Sequence, residues 1–259
     1  MKSLLTTFVI PAHNSCYRLG QDRFASNLRV IKNRLQKTNP ENNILVVDNS
    51  TDLDKGATQS TALAEGAKVI TIPPINAGYA RYCGVSHAFQ NLGADVAIMG
   101  DDDLHVLPES IPDFIFAIER GADITLGVRS LLDRISHPLW QFFLEEAVNV
   151  YATHRFGIEP TRCFSLCTDF ISGGQAFSRT GWQTFMKVVP EQKARQLGHA
   201  ATFFPGVFKA LGLKIKTVTV PGPYEGDYWR DSFDIRQVKK RFTTILGDIK
   251  DIEAAKRYF

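Results

Sequence analysis

Thr7-Phe8-Val9-Ile10-Pro11-Ala12-His13-Asn14 is a β-branched run that breaks at a proline and turns polar, and Ile44-Leu45-Val46-Val47-Asp48-Asn49-Ser50-Thr51-Asp52 repeats that pattern. Between them Phe24, Leu28, Ile31 and Leu35 recur at the spacing that lines one face of a helix. Strand, amphipathic helix and strand in succession make a βαβ unit. The alternation continues outward. An Ala-rich helix over residues 57–65 stops at Gly66 and leads to Val69-Ile70-Thr71-Ile72, whose unbroken apolar character predicts a strand buried on both faces. Tyr82, Val85, Phe89 and Leu92 mark a helix closed by Gly93, and the strand Val96-Ala97-Ile98-Met99 then runs into Asp101-Asp102-Asp103. Ile111, Phe114, Ile115 and Ile118 mark another helix before Ile124-Thr125-Leu126. The expected fold class is α/β, with a doubly wound, mostly parallel sheet.

The rest of the chain is less regular. An aromatic-rich helix is expected over residues 139–151 and a strand over 214–220; Pro221-Gly222-Pro223 breaks it, and residues 233–259 read as a basic helical tail. The simplest partition is a body over residues 1–225 with a lid and C-terminal helical tail over 226–259. With 259 residues, 44% of them hydrophobic and 22% charged, the chain can bury a sizeable core and is not disordered. Thirty Lys and Arg against 27 Asp and Glu leave a net charge of +3, too little to mark a nucleic-acid or anionic-lipid surface by charge alone. The four cysteines form no C-x-x-C pair, and no apolar stretch approaches the roughly 20 residues of a transmembrane helix. The sequence therefore reads as a reduced, cytoplasmic protein whose membrane contact, if any, is peripheral. Cys163 and Cys167, with His154 nearby in sequence, read as core residues in preference to a zinc site.

In an open parallel sheet the ligand sits beyond the carboxyl ends of the strands, where the strand order reverses. Polar clusters fall at those ends: His13-Asn14, Asp48-Asn49-Ser50, Asn76-Ala77-Gly78 and Asp101-Asp102-Asp103. Alternation in an extended segment puts Asp101 and Asp103 on one side, about 6.6 to 6.8 Å apart along the chain, and Asp102 on the other. Adjacent carboxylates repel unless a cation joins them. A hard ion such as Mg2+ or Mn2+ takes few protein carboxylates and fills its shell with water and phosphate oxygens; a solvated acidic turn is the alternative. Asp48 suits a hydrogen bond from a nucleobase N–H, or an Asx turn. The N–H groups opening a helix at Asn76 and the Arg81 guanidinium suit a diphosphate, unless Asn76 is only a cap and Arg81 only an ion-pair partner.

In order and approximate spacing, Phe8 to Asn14, Val46 to Asp52, Asn76-Ala77-Gly78 with Arg81, and Asp101-Asp102-Asp103 resemble the GT-A glycosyltransferases, especially the family 2 type, over residues 7 to about 130. Gly127-Val128-Arg129 and Ser172-Gly173-Gly174 resemble later elements of that family. The resemblance implies a Rossmann-like GT-A sheet and a nucleoside-diphosphate sugar donor, UDP by the family's habit. It implies Pro11, Ala12, His13, Asn14 and Asp48 around the base and ribose, and Asn76, Gly78 and Arg81 around the diphosphate. It further implies Asp101 and Asp103, with Asp102 between them, as a D-x-D motif holding Mn2+ or Mg2+, and Gly173 and Gly174 on the acceptor side. An inverting enzyme also needs a base for the acceptor hydroxyl. The family usually places an acid where this chain has Leu197-Gly198-His199-Ala200, which carries no carboxylate. His199 is the candidate base or a further metal ligand, and Asp169 the second candidate base, with Asp227, Asp231 and Asp234 behind them. Residues 221–230, with Tyr228, Trp229 and Arg230, suit a lid or an anchor for the tail.

Two rival readings stand beside this one. A nucleotidyltransferase on a related sheet would show a Gly-rich basic loop after the first strand, and His13-Asn14-Ser15 is not one. A catalytically silent nucleotide-sugar-binding protein gains weight from the absent acid. The acceptor is not specified by the sequence.

Overall fold

β1 (Thr6–Ala12), β2 (Asn43–Asp48), β3 (Lys68–Thr71) and β4 (Val96–Met99) pair in parallel in the order β3-β2-β1-β4. The computed structural model describes residues 4–54, 56–102, 108–129, 139–158, 168–170, 174–220 and 235–259. α1 (Ser15–Leu19) and α2 (Gln21–Thr38) join the first two strands, and α2 buries Phe24, Leu28, Ile31 and Leu35, the stripe its periodicity predicts. α3 (Ala57–Ala64) leads to β3, and α4 (Ala77–Gln90) lies across the sheet on the way to β4. The approach of α4 is close: a Cβ at Gly84 would fall 2.4 Å from Val9 Cγ1 and 2.6 Å from Val47 Cγ2. Only a residue without one lets the helix backbone settle on β1 and β2.

β3 departs from its expected burial. Its residues are exposed or half-buried, because it is the edge strand, with β2 on one side only. An apolar run does not distinguish an edge from a centre.

α5 (Ile111–Glu119) returns the chain to β5 (Ile124–Arg129), but β5 does not lie beside β4. α6 (Leu139–Phe156) precedes β6 (Gln175–Ser178), which inserts antiparallel between β4 and β5, and β7 (Ile215–Val220) closes that edge parallel to β5. The sheet is therefore seven-stranded and mostly parallel, with the second half of the chain supplying an internal strand. β6 is short and almost wholly buried, so it carries no alternation to read.

α7 (Arg179–Val188), α8 (Glu191–Ala194), α9 (Phe203–Ala210) and α10 (Ile235–Ala255) complete the described helices. Tyr82, Phe177, Trp182, Phe185, Phe204 and Phe208 form a continuous aromatic core, with Trp182 and Phe185 stacked at 4.7 Å between ring centroids. Trp182 Nε1 donates to Ser86 Oγ at 3.1 Å, so its buried N–H is satisfied. Ile245, Ile252 and Ala255 of α10 belong to this same core. The C-terminal helix packs as part of the body. No helix among the described residues is long and apolar enough to cross a membrane.

Candidate functional site

The order of β3-β2-β1-β4 reverses between β1 and β4, and the polar residues stand at the carboxyl ends of these strands, where an open parallel sheet takes its ligand. Ala12 at the end of β1 pairs with Asp48 at the end of β2. Pro11 is half-buried and Ala12 buried. Asp48 is 5% exposed, and its Oδ1 accepts the Ser50 N–H at 3.0 Å, the Asx turn foreseen as one of its two roles. His13 is exposed and its Nδ1 meets the Asn49 carbonyl at 2.8 Å.

Asn14 stands in the left-handed region at φ 52° and ties the two loops together. Its N–H donates to Ser50 Oγ at 2.8 Å, its Oδ1 accepts the Thr51 N–H at 2.9 Å, and its Nδ2 donates to Thr51 Oγ1 at 3.1 Å. The buried Asn14 thus shapes the crevice instead of facing a ligand.

Beyond the end of β4 the two acids described point to different partners. Asp102 turns away and is 6% exposed; Ser15 and Arg18 both donate to its Oδ2, and Asn27 Nδ2 donates to its carbonyl at 2.9 Å. Its carboxylate fastens this segment to α1. Asp101 faces the other way, with 24% of its side chain exposed. Asp103 and Gly173 lie outside the described residues, as do Cys163, Cys167, residues 221–230, Asp227, Asp231 and Asp234.

Three residues expected around a diphosphate are placed differently. Arg81 is 2% exposed, and its guanidinium donates from Nη2 to Asp101 Oδ1 at 2.7 Å and from Nη1 to the His199 carbonyl at 2.5 Å. It lies under the crevice as a brace between the β4 end and the 197–200 loop. Asn76 caps α4, its Oδ1 accepting the Tyr79 N–H at 2.7 Å, while Nδ2 donates to the Arg195 carbonyl at 2.9 Å. The Gly78 N–H donates to the Gly198 carbonyl at 3.0 Å, and a Cβ at Gly78 would fall 2.9 Å from Leu197 Cβ. The start of α4 is thus covered by the 197–200 loop and does not present its N–H groups to the crevice.

That loop is held by two acids which the sequence reading did not single out. Asp251 of α10 accepts three successive backbone N–H bonds, from Gly198 at 2.9 Å, His199 at 2.9 Å and Ala200 at 2.7 Å, with Ala200 at φ 63°. Burial pushes the Asp251 carboxyl up, and the three N–H donors pull against it. Asp248, one turn earlier, is wholly buried, and its Oδ1 is 4.0 Å from His199 Nδ1. Burial, with Asp251 nearby, pushes its carboxyl up to about 7, while Arg81 and Arg241 draw it down. His199 keeps 29% of its side chain exposed. A signal for these acids exists in the sequence: Asp248 lies on the stripe of Ile245, Ile252 and Ala255, the face that α10 buries.

Asp169 is placed away from the role of a solvent-facing base. Its side chain is fully buried; Arg129 donates to it from Nε at 2.8 Å and from Nη2 at 3.2 Å, and Asn149 Nδ2 adds a bond at 3.3 Å. Arg129 also reaches Glu145 at 3.1 Å, and Gln141 Nε2 donates to Glu145 at 2.7 Å. Burial alone would lower the Arg129 pKa, but Asp169 and Glu145 outweigh it and raise it. Gly174 is buried, and its carbonyl accepts the Gly127 N–H at 2.8 Å, joining the β6 entry to β5.

Residues 7–180 match the family model described as Glycosyl transferase family 2. Among solved structures the chain is similar to S. aureus TarS 1-349, at a TM-score of 0.50 and 14% identity over 83% of this chain and 58% of that one. It is similar to the same protein in complex with UDP, at 0.50 and 12% over 84% and 60%. A further likeness is to the 4-diphosphocytidyl-2C-methyl-D-erythritolsynthase from Anaerococcus prevotii, at 0.47 and 11% over 96% and 99%. At these identities the TarS likeness is one of fold, and this chain spans less than two thirds of the TarS chain. No curated protein matches.

Proposed function

The chain belongs to glycosyl transferase family 2, and from that premise we propose that it moves a hexosyl group from a UDP-sugar to a hydroxyl acceptor, with inversion and with Mn2+ or Mg2+. What supports this most is that Asp48 closes β2 and Asp101 follows the end of β4, on either side of β1 in the sheet order. Asp48 accepts the base N–H, beside Pro11 and Ala12.

A divalent ion of this kind would be held by Asp101 and Asp103. Such a site needs one or two carboxylates, the rest of its shell being water and phosphate oxygens. Asp102 is engaged elsewhere, and the D-x-D resemblance makes the pair Asp101 with Asp103. A bound cation would offset the charge that develops on the departing diphosphate. Arg81 fixes the Asp101 carboxylate from below. His199 is the base: it takes the acceptor hydroxyl's proton while that oxygen bonds to the anomeric carbon.

The test is a thermal-shift panel of UDP, GDP and dTDP and their sugars, with and without Mn2+. Ligand at 100 times its dissociation constant stabilises by about 2.7 kcal/mol. A Mn2+-dependent shift with UDP-sugars is expected. The absence of any nucleotide-sugar shift overturns the proposal; a shift without donor turnover selects the silent binding protein.

A further inference from the structure

Residues 197–200 carry no carboxylate of their own. α10 delivers two acids to that loop one helical turn apart, and they do different things. Asp251 spends its oxygens on three backbone N–H groups and sets the path of the loop. Among the described residues Asp248 accepts no hydrogen bond at either oxygen, although it is wholly buried. A buried polar group left so is costly and calls for an explanation. Its side chain faces the imidazole of His199 at 4.0 Å, about 1 Å beyond a hydrogen bond, and catalytic contacts often stand long in the absence of substrate.

We infer that Asp248 is the positioning residue for His199: its carboxylate holds the ring with the proton on Nδ1, leaving Nε2 as the proton acceptor. This rests on the reading of His199 as the base in the function proposed above. In the step, the acceptor O–H bond breaks and its proton passes to Nε2. The acceptor oxygen forms a bond to the anomeric carbon, and the bond from that carbon to the diphosphate oxygen breaks, its electron pair leaving with the nucleoside diphosphate. The imidazolium so formed lies against the Asp248 carboxylate, which stays ionised. The arrangement divides between two side chains what the family's acid does with one. It also explains why α10 is part of the body: without it the loop loses both its shape and its counter-charge. Arg81 ties the unit to the crevice, since one guanidinium bonds both the His199 carbonyl and Asp101.

The test reads the ring itself. In the 15N-labelled full chain at pH 8.5, long-range 1H–15N correlations report which imidazole nitrogen carries the proton, and His199→Gln identifies the His199 signals. The parent is expected to show the Nδ1–H tautomer, and Asp248→Asn and Asp248→Leu the Nε2–H tautomer. An unchanged tautomer in whichever of these variants folds overturns the inference. Donor hydrolysis is the second readout, with UDP-glucose, UDP-N-acetylglucosamine and Mn2+. Asp248→Asn should lower kcat about 100-fold with the donor KM within about twofold. Added to His199→Gln, it should cost little more, because both act through one ring. If the tautomer switches but the parent binds no nucleotide sugar, the proposed function fails and the coupling of Asp248 to His199 stands. If the parent binds and hydrolyses donor while the tautomer stays fixed, the coupling fails and the function stands.

Discussion

Asp248→Asn should stabilise the protein at pH 8.5, and the gain should disappear as the pH falls. In the folded state this carboxyl is wholly buried and its pKa is pushed up to about 7, whereas in the unfolded chain it returns to the ordinary carboxylate value near 3.9. A folded pKa raised above the unfolded one means that the neutral form is the one folding favours. Below about pH 4 both states are protonated and nothing is lost. Between about pH 4 and 7 the unfolded chain gives up the proton and the folded chain keeps it, so stability falls with rising pH; above 7 the loss is constant. At about 1.4 kcal/mol for each tenfold change in proton affinity, the full loss is about 4 kcal/mol. Asparagine removes the charge but must seat an amide in the same place, at a cost of about 1 to 2 kcal/mol. The expected net gain at pH 8.5 is therefore about 2 to 3 kcal/mol, turning into a small loss near pH 4.5. His199, Arg81, Arg241, Asp251 and Glu145 also act on this carboxyl, so the comparison is made variant against parent at each pH. Urea unfolding followed by tryptophan fluorescence, to which the buried Trp182 contributes, provides the assay. A parent more stable than the variant at pH 8.5, by a margin that does not change with pH, would refute the reasoning. A gain in stability together with the loss of turnover expected above would mark a residue kept for function at the expense of the fold.

Four other substitutions have outcomes set by contacts described above. Gly78→Ala places a methyl 2.9 Å from Leu197 Cβ and within 3.2 Å of two loop carbonyls; it should cost about 1 to 3 kcal/mol and speed amide exchange at Gly198, His199 and Ala200. Arg129→Met removes the guanidinium that bonds both Asp169 and Glu145 in a buried setting, an expected loss of about 3 to 5 kcal/mol in urea unfolding at pH 7. Asp101→Ala should abolish the Mn2+-dependent part of nucleotide-sugar affinity in calorimetry, as EDTA should in the parent, while Asp102→Ala should act mainly on stability by releasing Ser15 and Arg18.

Much of the scaffold was legible in the sequence, for a local reason. Phe24, Leu28, Ile31 and Leu35 repeat at the helical period, and β1, β2 and β4 are short apolar runs that end in polar residues, so the βαβ units and the positions of Asp48 and Asp101 follow from neighbours in the chain. The burial of β3 and the insertion of β6 were not legible, because whether a strand lies at the edge or in the middle is decided by which partners arrive beside it.

The site divides in the same way. Residue type and spacing alone fixed that acids stand at the strand ends. Tertiary contacts decided what those polar groups touch. Arg81 is spent on a carbonyl 118 residues away, Gly78 meets the loop at Gly198, and Asp248 faces His199 from α10. A hydrogen bond or a desolvated charge depends on what folds against it, and no period in the local sequence encodes that.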